Sequence, residues 1–175
     1  MDTRGLLYII AARALDSPLK LLEVGEELAK FAEEAGAGEL LEFLQAARVM
    51  DIEGHRVEIF ELAPKCPPYA GYYALGEDSR ERGWYMHTIL TYYRAFGFDM
   101  DVRRELPDYF PIMLEFLGAT YGVDDMGKAA MRRDFYRRFI KPWFSKFKEC
   151  VERHKSPYSQ VLKMVERLFQ EFENL

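Results

Sequence analysis

An all-α fold, a single domain of about seven or eight helices over residues 1–175, is what this sequence predicts. Three observations carry that expectation. Apolar residues recur at three- and four-residue intervals through most of the chain, the spacing that lines one face of a helix. Ser-Pro pairs stand at 17–18 and 156–157, serine where a helix cap belongs and proline at the first helical position, where a missing N–H has no partner to lose. No convincing set of alternating strands accompanies them.

The first helix covers Leu6–Ala14. A second starts at Ser17-Pro18 and runs to about Ala35, where Gly36 and Gly38 end it, and a third covers Glu39 to about Ile52. Gly54–Pro68 is irregular, with three prolines and one alternating piece, Val57–Leu62, that suits a strand or another helical turn; helix or loop is the favoured reading. Asp78 followed by Glu81 resembles a capping box, and Tyr85, Ile89, Tyr92 or Tyr93, and Phe96 form an amphipathic helix that Gly97 stops. Pro107 and Pro111 flank Asp108 and Tyr109 at the next helix start. Both prolines are tolerated there if Asp108 caps the helix, its carboxylate accepting from the free N–H groups. Ile112, Met113, Phe116 and Leu117 then form an apolar stripe with Glu115 off it. A long helix begins near Asp124 or Asp125 and is expected to kink at Pro142, which removes the bond to the Arg138 carbonyl. Ser156-Pro157 opens the last helix, to about Phe172.

With 49% hydrophobic and 30% charged residues, the composition suits a soluble globular domain with a sizeable core. The early apolar run Leu6–Ala12 is closed by Arg13, far short of the ~20 apolar residues of a membrane span. Cys66 and Cys150 are isolated in sequence and form no CxxC pair, so a reducing compartment, the cytoplasm, is expected. Residues 1–63 carry a net charge of −7 and residues 64–175 a net of +2. An acidic half of this kind does not suit nucleic acid and favours a cationic partner such as a basic peptide. The one basic cluster, Arg132, Arg133, Arg137, Arg138 and Lys141, is interleaved with Asp134 and aromatics at helical spacing and reads as a solvated face.

Catalytic machinery is not visible. His55, His87 and His154 lie far apart, none in a HExxH-like spacing or beside a cysteine, so local motifs assemble no metal set. Walker, GxGxxG and GxSxG patterns are absent. The acidic pairs Asp99 with Asp101 and Asp124 with Asp125 read as caps and solvated charge. No catalytic residue, cofactor or metal is therefore expected.

Four segments in order, EIFELAPKCPPYAGYYALGEDSRERGWYM, YRAFGF, ELPDYFPIMLEFLG and FYRRFIKPWFSKF, resemble the TorD/NarJ-type family of molybdoenzyme assembly chaperones across about Glu58–Phe147. The likeness is greatest to the branch serving respiratory nitrate reductases and related DMSO-reductase-type enzymes, where Ser-Arg-x-Arg-Gly precedes the central helix; here these are Ser79, Arg80, Arg82 and Gly83. The resemblance implies a cytoplasmic, all-helical, non-enzymatic chaperone. It would bind the catalytic subunit of a molybdopterin oxidoreductase, often through its N-terminal segment, and hold it for cofactor insertion and, for exported enzymes, the twin-arginine route. The family's Pro-Asp-His hallmark maps onto Leu106, Pro107, Asp108 and Tyr109, with tyrosine in place of histidine. Tyrosine keeps a ring and a hydrogen-bonding tip but cannot become cationic near neutral pH.

The expected client-binding residues are Glu105, Leu106, Pro107, Asp108, Tyr109 and Glu115, with Tyr69, Arg80, Arg82 and Trp84 contacting the client or fixing the neighbouring loop. A plainer reading of the same residues makes Asp108 a helix cap, Arg80 and Arg82 ion-pair partners of the loop, and Trp84 core. Two other functional readings stand beside the chaperone: a nucleotide-binding or hydrolysing enzyme, since guanine nucleotide binding is discussed for this family, and a structural subunit of a reductase complex. Domain-swapped dimers within the family make a homodimer a further expectation.

Overall fold

The computed structural model describes residues 2–76 and 78–174. The all-α expectation holds: the elements are α1 (Thr3–Asp16), α2 (Leu19–Glu23), α3 (Gly25–Glu34), α4 (Gly38–Arg48), α5 (Ile52–Arg56), a π turn (Val57–Glu61), α6 (Ala70–Leu75), α7 (Arg82–Ala95), α8 (Phe110–Ala119), α9 (Met126–Phe139), α10 (Lys141–Arg153), α11 (Tyr158–Leu168) and α12 (Gln170–Glu173). The helices outnumber the seven or eight expected because several runs break into short pieces. Val24, at φ −108° and ψ 28°, interrupts the second run, and residues 49–51 separate α4 from α5. Pro142 breaks its helix outright instead of kinking it. The helix stops at Phe139, Ile140 leaves the helical region at φ −121°, and the proline sits in the first turn of α10, where its missing N–H is harmless.

The chain forms two compact units, Met1–Ile9 with Pro68–Phe147, and Ile10–Pro67 with Lys148–Leu175. The first contains α6 to α9, and its core is aromatic: Tyr93, Phe110, Phe116, Phe135, Trp143 and Phe147 are all essentially inaccessible. Phe116 meets Phe135 with ring centroids 4.8 Å apart, and Phe110 meets Trp143 at 5.1 Å. The Phe139 carbonyl, left over at the break, accepts from the Trp143 indole N–H and from the Tyr85 hydroxyl. Gly118 lets α8 approach α1 closely, because a Cβ there would lie 2.7 Å from the Gly5 carbonyl oxygen. Arg132, expected on a solvated face, is instead 6% exposed. It donates to the Leu117 carbonyl at 2.7 Å and the Thr120 hydroxyl at 2.9 Å, closing the carbonyl end of α8 with a cation.

In the second unit, α11 and α4 pack through Tyr158, Val161, Leu162, Leu40, Phe43 and Leu44. The Tyr158 hydroxyl donates to the Ala14 carbonyl at 2.8 Å. Ser156 starts α11 as its position suggests, accepting from the Tyr158 N–H at 3.2 Å. Val57–Leu62 is a π turn, closed by the Leu62 N–H to Val57 carbonyl bond, and not a strand. Arg56 favours this wider winding by reaching Glu53 at 2.6 Å on one side and Glu61, five residues on, at 2.5 Å. Cys66 and Cys150, isolated in sequence, are joined as a disulfide with Cα atoms 5.9 Å apart. His154 lies beside them. The fold thus gathers three residues that no local motif brings together.

Candidate functional site

The site lies wholly in the first unit and is built on two extended pieces that flank helix starts. Pro68–Ala70 runs antiparallel to Asp108–Phe110: the Ala70 N–H donates to the Asp108 carbonyl at 2.9 Å and the Phe110 N–H to the Pro68 carbonyl at 2.8 Å. Tyr69 and Tyr109 face one another in this bridge, with ring centroids 5.3 Å apart. Pro107 and Asp108 form the turn that leads into Tyr109, closed by the Tyr109 N–H on the Leu106 carbonyl at 3.1 Å. The Pro107 carbonyl is taken by the Tyr93 hydroxyl at 2.8 Å, so the core of the unit anchors the second piece.

Asp108 does not cap α8. Tyr109 occupies the N-cap position without a side-chain bond, and the Asp108 side chain turns away from the helix into a fully buried place. Its Oδ2 accepts from the Gly71 N–H at 2.9 Å and lies 3.4 Å from the Arg82 guanidinium. One carboxylate thus ties the starts of α6 and α7 to the start of α8. Gly71 is required for the approach, because a Cβ there would lie 2.7 Å from that oxygen. Among the described residues, Asp108 Oδ1 has no hydrogen-bond partner. Burial therefore raises the Asp108 pKa above the ordinary carboxylate value, and the Gly71 N–H and Arg82 pull it back only in part.

Around this buried carboxylate stands a partly accessible rim. The Tyr69 hydroxyl donates to Glu105 Oε1 at 2.9 Å, and the same oxygen accepts from the Leu106 N–H at 2.9 Å. Burial and then Glu105 push the Tyr69 phenol well up. The Arg82 guanidinium lies 5.9 Å from the centre of the Tyr69 ring. Leu106 is 39% exposed, while Pro107 and Tyr109 are buried and Glu115 is half-buried midway along α8. Trp84 is not core: it is 76% exposed. With Arg80, Gly83 and His87 it lines an open groove of about 490 Å³, its ring set edge-on to His87 at 6.1 Å. The capping box expected from Asp78 and Glu81 does not form at α7, whose N-cap is Glu81 without a side-chain bond; the Ser79 hydroxyl instead accepts from the Glu81 N–H at 3.2 Å within the preceding loop.

Of the residues expected at the site, Tyr69, Arg82, Glu105, Asp108 and Tyr109 come together, and Arg80 and Trp84 share the adjoining groove on the α7 start. Gly71 and Tyr93 hold the site without having been expected there. The signal for Gly71 was the small pair Ala70-Gly71 directly after Pro67-Pro68-Tyr69, a place where backbone can approach a neighbour closely.

These features define a class: an all-helical protein in which a buried carboxylate braces a partly apolar, partly charged surface. Residues 28–149 match the family model described as nitrate reductase delta subunit, and the chain belongs to that family. A curated relative, the protein of Bacillus subtilis (strain 168) described as a probable nitrate reductase molybdenum cofactor assembly chaperone NarJ, is 39% identical over 66 residues. That stretch covers 38% of this chain and 35% of the relative's length. The fold is shared with a crystal structure described as a redox enzyme maturation protein from Archaeoglobus fulgidus, at a TM-score of 0.61 and 21% identity, covering 100% of this chain and 96% of that one.

Proposed function

We propose that this chain is a non-catalytic, cytoplasmic maturation chaperone that binds the catalytic subunit of a molybdopterin oxidoreductase of the nitrate reductase type and holds its N-terminal segment during cofactor insertion. Trp84 carries the reading. A tryptophan 76% exposed beside an open groove, on the Ser-Arg-x-Arg-Gly element, is the kind of residue that anchors a partner. Glu105 and Leu106 add an acidic and an apolar contact suited to a client segment that carries both arginines and apolar side chains. Asp108, Arg82, Tyr69 and Tyr109 act in this reading as the brace that fixes the surface, with Glu115 further along the same helix.

The test is a native pull-down of the tagged chain from source cells grown under anaerobic respiration, with mass spectrometry of what is retained. Recovery of an immature molybdopterin oxidoreductase subunit, reduced by Trp84→Ala, supports the proposal. Recovery of no such subunit from cells shown to express one refutes it. Co-purification with the finished, active enzyme instead identifies a resident subunit.

A further inference from the structure

Three side chains of the second unit form a set that the chaperone reading does not use. Cys66, Cys150 and His154 place their ligand atoms within 4.8 Å of one another. Cys150 lies in the last turn of α10 and His154 directly follows that helix, its N–H still donating to the Cys150 carbonyl at 3.4 Å, so the four-residue spacing keeps the two on one face. Cys66 is brought to them by a stiff loop: its N–H donates to the Ile59 carbonyl at 2.9 Å, Pro67 and Pro68 follow it, and Ala63 before it takes a positive φ of 45°.

We propose that Cys66, Cys150 and His154, once the disulfide is reduced, form a binding site for a thiophilic divalent cation such as Zn²⁺. A dithiol reductant opens the Cys66–Cys150 bond by supplying two electrons and two protons, leaving as a disulfide itself, and two thiols result. Zinc then displaces those two protons and takes two thiolates and the neutral imidazole. Two Zn–S bonds of ~2.3 Å at the tetrahedral angle separate the sulfurs by about 3.8 Å, so reduction must let them part from bonding distance, between Cα atoms that stand 5.9 Å apart. The donors select the ion: two sulfurs and a nitrogen suit zinc over magnesium or calcium. Both cysteines are buried, at 0% and 8%, while His154 is exposed, so the open side of the site faces solvent through the imidazole. Oxidation removes the site, because a disulfide sulfur is no longer a thiolate ligand.

Cobalt is the first probe, since thiolate-to-cobalt charge-transfer bands report sulfur ligation directly. The full chain, reduced with a phosphine, is expected to take up one Co²⁺ with those bands and to exchange it for one Zn²⁺. The oxidised chain is expected to show neither. Cys150→Ser should weaken zinc binding by about 100-fold or more and His154→Ala by about 10-fold. His154→Ala changes only an exposed side chain, so its fold is retained and the comparison stands if a cysteine variant unfolds. Absence of charge-transfer bands in the reduced chain overturns the proposal, as does zinc affinity unchanged by His154→Ala.

Discussion

Gly71→Ala tests the brace directly. The added Cβ would sit 2.7 Å from Asp108 Oδ2 and 3.1 Å from Arg82 Nε. Arg82 has somewhere to go, since its side chain is 24% exposed, but Asp108 is at 0% and its backbone is pinned by the Ala70 and Phe110 hydrogen bonds. The methyl group therefore lifts the carboxylate off the Gly71 N–H. Losing that charge-assisted bond costs about 1.5–3 kcal/mol, and crowding a tight buried site adds roughly 1–3 kcal/mol. Alanine's better helix propensity offsets at most ~1 kcal/mol. A net loss of roughly 1.5–6 kcal/mol lowers the melting temperature of a chain this size by on the order of 3–24 °C. Gly83→Ala is the matched control: it lies in the first turn of α7 and a Cβ there meets nothing within 4 Å, so it should leave stability unchanged or raise it by up to ~1 kcal/mol. Urea unfolding and thermal melts followed by circular dichroism measure both. If Gly71→Ala melts at or above wild type, the close approach of Asp108 to α6 is wrong.

Further outcomes follow from other contacts. Because burial raises the folded pKa of Asp108, its contribution to stability is full below the unfolded value and is lost as pH rises through the folded one. Wild type should thus gain stability relative to Asp108→Asn as pH falls towards the ordinary value of 3.8, read from urea midpoints; a constant gap across that window contradicts the assignment. Arg132→Lys, which keeps the charge but loses the fork that spans Leu117 and Thr120, should cost about 1–3 kcal/mol, and a neutral melt would show that the fork is unimportant. Reducing the Cys66–Cys150 bond, across a sequence separation of 84, should lower stability by roughly 2–4 kcal/mol in metal-free buffer, checked by melts with and without reductant. Trp84→Ala should change stability by no more than about 0.5 kcal/mol while weakening a client N-terminal peptide about 30-fold in a fluorescence titration; equal loss of both would return Trp84 to a structural role.

Features set within a few residues were legible in the sequence. Ser156-Pro157 starts a helix because serine caps its own next turn, and Gly97 ends one because it accepts the positive φ of 66° that the stop requires. The π turn was not legible, because its pitch is tied to how Arg56 divides itself between Glu53 and Glu61. Asp108 misled for a similar reason. Its spacing from Pro107 and Pro111 fits a cap, yet its partners are Gly71 and Arg82, separated from it by 37 and 26 residues, and only the fold brings them near. Arg132 likewise sat in a basic run typical of a wet surface, while the open carbonyls of α8 drew it inward. The disulfide and its neighbouring histidine depend on a separation of 84 residues that no local pattern encodes.

The short bridge between Tyr69 and Tyr109 bears on how a client would be met. The amides of Ala70, Gly71 and Phe110 stand in the first turns of α6 and α8, where no carbonyl of the same helix can take them, yet all three are bonded to buried acceptors, so they should exchange with solvent deuterium as slowly as helical core and not as frayed helix ends. A surface resting on such a frame is ordered before anything lands on it. The loss of conformational freedom that weakens many peptide contacts then falls almost entirely on the incoming segment.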